Sequence, residues 1–151
     1  MKLRSLPIAF LRHIGPYEDV GDALWARLNA WADSRGFSGD RMLLGIGHDA
    51  PGLTPAEKLR FDACISVPEG TQPRDGVHIG RLPELLCAVT THVGAYATMP
   101  EAYRAVVDQL RALPRVALLG LPAIEIYRDT SVDVLREIST TDIYLPVRRE
   151  P

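Results

Sequence analysis

The sequence has few of the features that would tie a protein to a membrane, an oxidising compartment, a metal or a nucleic acid. No apolar run is long: Val116-Ala117-Leu118-Leu119-Gly120-Leu121 is typical, far short of the roughly 20 residues that span a bilayer. The start, Met1-Lys2-Leu3-Arg4-Ser5-Leu6-Pro7, has basic residues but no apolar segment with a cleavage site after it, so no secretory signal is read and a cytoplasmic protein is expected. Cysteine is scarce. Cys64 and Cys87 stand apart in apolar contexts without CxxC spacing, which argues for reduced core residues and against a disulfide or a metal site. Formal charge is nearly balanced, at −2 with a pI near 6.1. Attraction of the whole surface to phosphate is therefore weak, and the chain alone is not expected to bind duplex DNA.

Catalytic signatures are equally sparse. There is no GxSxG elbow, and Cys64 has no histidine near it in sequence, so nucleophilic catalysis has no positive support. Gly45-Ile46-Gly47-His48-Asp49-Ala50 fits a loose GxGxxA fingerprint. A phosphate-holding helix would have to begin there, and Pro51-Gly52 follows instead, so nucleotide binding is not expected. His13 and His92 belong to no HxxxH or Cys/His cluster and are read as structural. Neither a metal nor a cofactor is expected.

What the chain does have is a pattern stated twice. Leu11-Arg12-His13-Ile14-Gly15-Pro16-Tyr17 returns as Thr90-Thr91-His92-Val93-Gly94-Ala95-Tyr96, and each copy then opens a helical pattern. Ile46-Gly47-His48-Asp49 lines up with Ile126-Tyr127-Arg128-Asp129, and Asp62-Ala63-Cys64-Ile65-Ser66-Val67 with Asp142-Ile143-Tyr144-Leu145-Pro146-Val147. Two copies, over about 5–68 and 84–148, imply one α+β domain over residues 1–151, built of duplicated βαββ modules with pseudo-twofold symmetry and a central ligand groove.

Each copy reads as strand, helix, strand, strand. The first has strands at Ile8–Ile14, Arg41–His48 and Leu59–Val67, with a helix from about Asp19 to Ser34 whose apolar stripe is Val20, Leu24, Leu28 and Trp31. The second has strands at Leu86–Val93, Ala123–Arg128 and Thr141–Val147, with a helix from Pro100 to Leu113 buried along Tyr103, Val107 and Leu110. Glu69–Gly76 is a polar connection rich in glycine and proline. Strand alternation separates Ile124 and Ile126 from Glu125 and Tyr127, and Ile143, Leu145 and Val147 from Tyr144. If the isoleucine face packs on the helices, Glu125, Tyr127 and Tyr144 look into the groove, opposite Gly45, Gly47 and Cys64 of the first copy.

These segments resemble the GyrI-like small-molecule-binding domain, the effector-binding domain of AraC-type and multidrug-type transcription regulators. The matching residues are Arg12 to Tyr17, Asp49 to Pro55 with Glu57 to Ile65, Pro122 with Glu125 and Tyr127, and Thr141 to Val147. The resemblance implies a groove for small, often cationic or hydrophobic, molecules, with the carboxylate at Glu125 as the cation contact. Some relatives hydrolyse strained cyclopropane rings of alkylating natural products, and others inhibit gyrase. The chain departs from the pattern at Cys87 and at Ala112-Leu113-Pro114, where the family carries aromatics, so binding without efficient turnover is expected.

The candidate ligand-binding residues are therefore Glu125, Tyr127, Tyr144, Tyr17, Tyr96, Gly45 and Cys64. A partly desolvated carboxylate selects cationic or donor-bearing ligands, and the tyrosines add cation–π and hydrogen-bond contacts. Three functions fit: a protein that senses or sequesters a small organic ligand, the effector-binding part of a transcription regulator, and a hydrolase in which Glu125 moves the proton. Partners other than the ligand would be proteins, such as a DNA-binding domain or gyrase.

Overall fold

Gly15-Pro16 does more than end the first strand. In the computed structural model, which describes residues 1–21, 23–37, 41–49, 53–95, 98–128 and 139–150, Tyr17–Asp19 makes a 3-10 turn and Val20 returns to extended backbone at φ −68° and ψ 115°. The helix α1, Ala23–Ser34, thus starts four residues after Asp19. Its buried residues are Trp25, Leu28, Trp31 and Ala32, with Leu24 only half-buried. Gly36, at φ +73°, closes it: its N–H donates to Asp33 and that of Phe37 to Ala32, the paired bonds that satisfy a helix C-terminus. The helix α2, Met99–Arg111, carries Pro100 in its first turn, where the missing N–H costs nothing. Met99, Val106 and Leu110 are its buried positions, and Tyr103 is half-buried.

The strands are β1 (Lys2–Leu3), β2 (Leu6–Ile14), β3 (Leu43–Gly47), β4 (Arg60–Ser66), β5 (His78–Leu82), β6 (Leu85–Gly94), β7 (Val116–Leu118), β8 (Ala123–Tyr127) and β9 (Ser139–Arg149). Strands β1, β5 and β7 were not expected from the sequence; β1 and β7, of two and three residues, are too short to show a period. All pair antiparallel in the order β1-β6-β9-β8-β3-β4-β2-β5, with β7 also on β9. The strands of the first segment, β2, β3 and β4, and those of the second, β6, β8 and β9, fill separate halves that meet at the β3–β8 pair.

Two connections of two residues force this sheet to curl. Arg4-Ser5 joins β1 to β2 and Pro83-Glu84 joins β5 to β6, yet the strands so joined lie at opposite ends of the order. A three-residue step spans at most about 11 Å, so the ends come together. Leu3 and Cys87 from one end, Leu82 and Ile8 from the other, and Leu44, Ile46, Cys64 and Ile124 from the middle then share one cluster inside the curl. Both helices pack on the outer face, α1 over Leu11, Leu43, Phe61, Ala63 and Tyr127, and α2 over Ile143, Leu145 and Val147.

This arrangement reverses the expected faces of β8. Ile124 and Ile126 belong to the inner cluster, and Tyr127 packs under α1. Tyr144 and Cys64 also belong to the inner cluster, so they point away from the face that carries Glu125 and Gly45. The reason is physical. Both faces of the central strands are buried, one by helices and one by the curl, so alternation alone separates two faces without saying which one the helices cover.

Two ion-pair networks lie on the inner-facing positions. Arg12 donates to both oxygens of the buried Asp62, at 2.8 and 3.0 Å, and His48 Nε2 lies 2.6 Å from the same carboxylate. Arg128 likewise grips Asp142 at 3.0 and 2.9 Å, and Thr91 donates to it at 2.7 Å. Burial works against ionisation of Asp142, but the Arg128 and Thr91 hydrogen bonds outweigh it and hold the group below the ordinary carboxylate range. A depressed carboxylate stabilises the fold above its unfolded pKa and loses that contribution as pH falls through the folded value. Wild type should therefore lose more stability between pH 7 and about pH 3 than Asp142→Asn does, by under about 1 kcal/mol for so accessible a pair. Urea denaturation at the two pH values checks this; parallel losses would show that Asp142 does not contribute.

Candidate functional site

The outer face of the sheet is not fully covered. Between α2 and the β3–β8 pair lies a cavity of about 620 Å³, floored by Phe61, Ala123 and Glu125 and walled by Met99, Tyr103 and Arg104 of α2, with Tyr17, His48 and Asp49 opposite and Gly120–Pro122 at the rim. The α2 contribution follows helix geometry. Met99 and Tyr103, one turn apart, form the deep stripe, and Pro100 and Arg104, also one turn apart, form the exposed stripe beside it.

Glu125 is the chemical centre. It is only 7% exposed, and its two oxygens accept from two tyrosines, Tyr103 Oη at 2.7 Å on Oε2 and Tyr127 Oη at 2.8 Å on Oε1. A buried carboxylate needs such donors to stay charged. Each carboxylate oxygen can accept more than one bond, so the tyrosines do not exhaust its acceptor capacity. Gly45 lies directly across the β3–β8 ladder from Glu125, and a Cβ there would sit 2.5 Å from Phe61 Cζ and overlap the Tyr127 hydroxyl. The absent side chain is what lets Tyr127 reach Glu125.

An aromatic chain supports this floor. Trp25 of α1 meets Phe61 and Tyr127 edge-on, with ring centres 5.9 and 5.7 Å away, and Phe61 meets Tyr17 at 5.7 Å. Tyr17 is fixed by its hydroxyl, 2.8 Å from the Asp49 carbonyl and 2.9 Å from that of Arg60, while the Asp49 N–H donates to it at 3.1 Å. Burial raises its pKa, and the Asp49 and Glu125 charges add to the effect, so it remains a neutral phenol at neutral pH. Arg60 neutralises Asp49 through two bonds of 3.0 Å.

Of the residues singled out in the sequence, Glu125 and Tyr17 line the cavity, and Gly45 and Tyr127 stand directly behind it. Cys64 and Tyr144 lie on the opposite face, and Tyr96 lies outside the described residues. Cys87 is buried inside the curl and Ala112 follows α2 at the surface, so neither departure from the family pattern removes a wall of this cavity. His13 and His92 tie their strand ends to the following turns, through the Pro16 carbonyl at 3.0 Å and the Thr98 hydroxyl at 2.6 Å. Sequence reasoning read Tyr103 as a core position and did not consider Phe61, Met99 or Arg104 for the site. The four-residue spacing of Met99 and Tyr103 was the available signal.

The model of the GyrI-like small molecule binding domain matches residues 2–148. The chain belongs to this family. Among GyrI-like relatives, the Escherichia coli (strain K12) protein named Probable transcriptional regulator YgiV is 27% identical over 146 residues, covering 95% of this chain and 91% of that one. The EcmrR C-terminal domain superposes with a TM-score of 0.73 at 14% identity, over 99% of this chain and 95% of that one. Against EcmrR in its DNA complex the TM-score is 0.79 at 15% identity, over 99% of this chain but 56% of that chain, so this GyrI-like chain spans about half the length of that one. SAV2435, solved with tetraphenylphosphonium, has a TM-score of 0.58 at 15% identity, over 98% of this chain and 92% of that one. No helix among the described residues is long and apolar enough to cross a membrane.

Proposed function

We propose that this GyrI-like domain binds a cationic aromatic molecule in the cavity between α2 and the β3–β8 pair, acting as a ligand sensor or as a sequestering protein. One observation carries the reading: a nearly buried carboxylate, hydrogen-bonded by two tyrosine hydroxyls, floors an aromatic-walled cavity. A carboxylate in so dry a site attracts a positive charge more strongly than one in water, and aromatic walls add cation–π attraction. The likeness to a protein solved with tetraphenylphosphonium supports the ligand class, and the relative named as a regulator supports a sensory role within a larger assembly.

The same reading takes the two βαββ segments as duplicated copies about a pseudo-twofold axis passing between Gly45 and Glu125. What supports it is the sheet order, which runs outward from β3–β8 as β4-β2 on one side and β9-β6 on the other. The polar networks also correspond: Asp62 with Asp142, Arg12 with Thr91, and His48 with Arg128. On this view Gly45 and Glu125 are equivalent positions that have diverged, one to make room and one to bind.

Ligand that binds only the folded state raises its melting temperature by mass action. Tetraphenylphosphonium at about 100 times its Kd should raise Tm by roughly 5 °C or more, and the neutral triphenylphosphine oxide at the same concentration by much less. Equal shifts for both would show that the cavity does not read charge.

A further inference from the structure

Two of the polar groups on the cavity wall are already committed. The Tyr17 hydroxyl is held by the backbone of Asp49 and Arg60, and the Asp49 carboxylate by the Arg60 side chain. His48 differs. It lines the cavity at the end of β3, and its backbone is pinned by an N–H donated to the Arg60 carbonyl at 3.0 Å. Because it stands just past the last residue of the strand, its ring borders both the cavity and the polar network inside the curl.

That network fixes the ring. Nε2 lies 2.6 Å from Asp62 Oδ2, and Arg12 donates to both oxygens of the same carboxylate, whose side chain is 5% exposed. A carboxylate in a two-bond ion pair only accepts, so the short contact places a proton on Nε2. Arg12 supplies the charge that balances Asp62, and His48 completes the network with one donated bond, which leaves the lone pair of the ring on Nδ1. No described residue bonds Nδ1, and the fold does not seal it from solvent as it seals the unpartnered His92 Nδ1. The His48 side chain is 23% exposed. An oriented ring with one accessible acceptor therefore stands in the cavity wall.

This acceptor is remote from Glu125. Gly45 pairs with Glu125 across the β3–β8 ladder, and His48 is three residues farther along the chain, roughly 10 Å at the rise of an extended strand. An aromatic body lying along β3 spans that distance over Phe61 and beside Tyr17. Resting on the reading that the cavity holds an aromatic cation, we propose that His48 is a second recognition point, whose Nδ1 accepts a hydrogen bond from a phenolic hydroxyl or amino N–H at the end of the ligand remote from Glu125. The preferred ligands are thus hydroxylated or aminated aromatic cations. A ligand with no donor there leaves Nδ1 to water, so the contact adds the modest net strength of a neutral hydrogen bond and sets the choice between ligands of one aromatic body.

Tetraphenylphosphonium, (para-hydroxyphenyl)triphenylphosphonium and (para-methoxyphenyl)triphenylphosphonium share one cation and differ at one position, so their affinities by titration calorimetry isolate the donor. Wild type should bind the hydroxyl compound about fivefold tighter than the other two, and His48→Phe, which keeps a flat ring without the acceptor, should bring the three within about twofold of one another. Nitrogen NMR of histidine-labelled wild type gives a readout that does not depend on how the variant folds. Nε2 of His48 should carry the proton, and the Nδ1 resonance should move with the hydroxyl compound and not with tetraphenylphosphonium. Equal binding of the three compounds by wild type overturns the His48 proposal and leaves the cation reading intact. So does a methoxy compound that binds as tightly as the hydroxyl one, a preference that survives His48→Phe, or an Nδ1 resonance indifferent to the hydroxyl. Binding of none of the three overturns the cation reading and the proposal together.

Discussion

Glu125→Gln should lower the affinity for a cationic aromatic ligand by roughly 1–3 kcal/mol, a factor of about 5 to 150, while a neutral ligand of the same shape loses little. The size follows from burial. The carboxylate is 7% exposed, so a cation brought to it is desolvated with it, and little water is left to screen the pair. The amide keeps the shape but carries no charge, and it puts an NH2 group where one oxygen accepted from Tyr103 or Tyr127. One tyrosine hydroxyl then has to turn elsewhere, which costs the fold a fraction of a hydrogen bond in either ligand state. The neutral ligand controls for that repacking. Titration calorimetry with tetraphenylphosphonium and triphenylphosphine oxide gives both losses, and equal losses would mean that Glu125 shapes the cavity without attracting the ligand.

How much of this could be read in the chain depended on whether the signal was local. The two helices and six of the nine strands showed themselves through period and through the stops at Gly15-Pro16, Gly36 and Pro114, with ends off by at most four residues. The start of α1 was misplaced because Val20 looks like a helix position in the stripe, whereas the backbone there is extended. Strands β1, β5 and β7 were invisible because each owes its form to a partner far away in sequence, as Lys2 and Leu3 do to Leu86 and Leu85. Glu125 and Tyr17 were legible as candidates, and the fold places both on the cavity. Cys64 and Tyr144 lie on the opposite face from Glu125, because an apolar-polar alternation in a strand buried on both faces does not say which face looks toward Glu125. Tyr103 was seen only as a helix stripe residue, since its partner Glu125 lies 22 residues away across a fold that sequence period cannot place.

Gly45→Ala should destabilise the protein by about 1–3 kcal/mol or more, against the usual benefit of replacing a glycine in a strand. In open space the added methyl would help, because alanine restricts the unfolded chain and removes the entropic penalty of an extended glycine, worth about 0.5–1 kcal/mol. Here the sign reverses, since the Cβ would stand 2.5 Å from Phe61 Cζ and overlap the Tyr127 hydroxyl. Neither ring can yield easily. Phe61 is 1% exposed and Tyr127 3%, and Trp25, fully buried on α1, holds both edge-on. Displacing Tyr127 also breaks its 2.8 Å bond to Glu125, so ligand affinity should fall along with stability. Gly47→Ala is the internal control: it lies in the same strand, but its Cβ would be 3.4 Å from Tyr17, a distance that a small shift absorbs, so its stability should stay within about 0.5 kcal/mol of wild type. Urea denaturation of both variants measures the contrast, and Phe61→Leu added to Gly45→Ala should recover part of the loss by vacating the clashing ring edge. A Gly45→Ala protein as stable as wild type would show that the rings are not held where the floor of the cavity needs them, and the role assigned to Gly45 would fall.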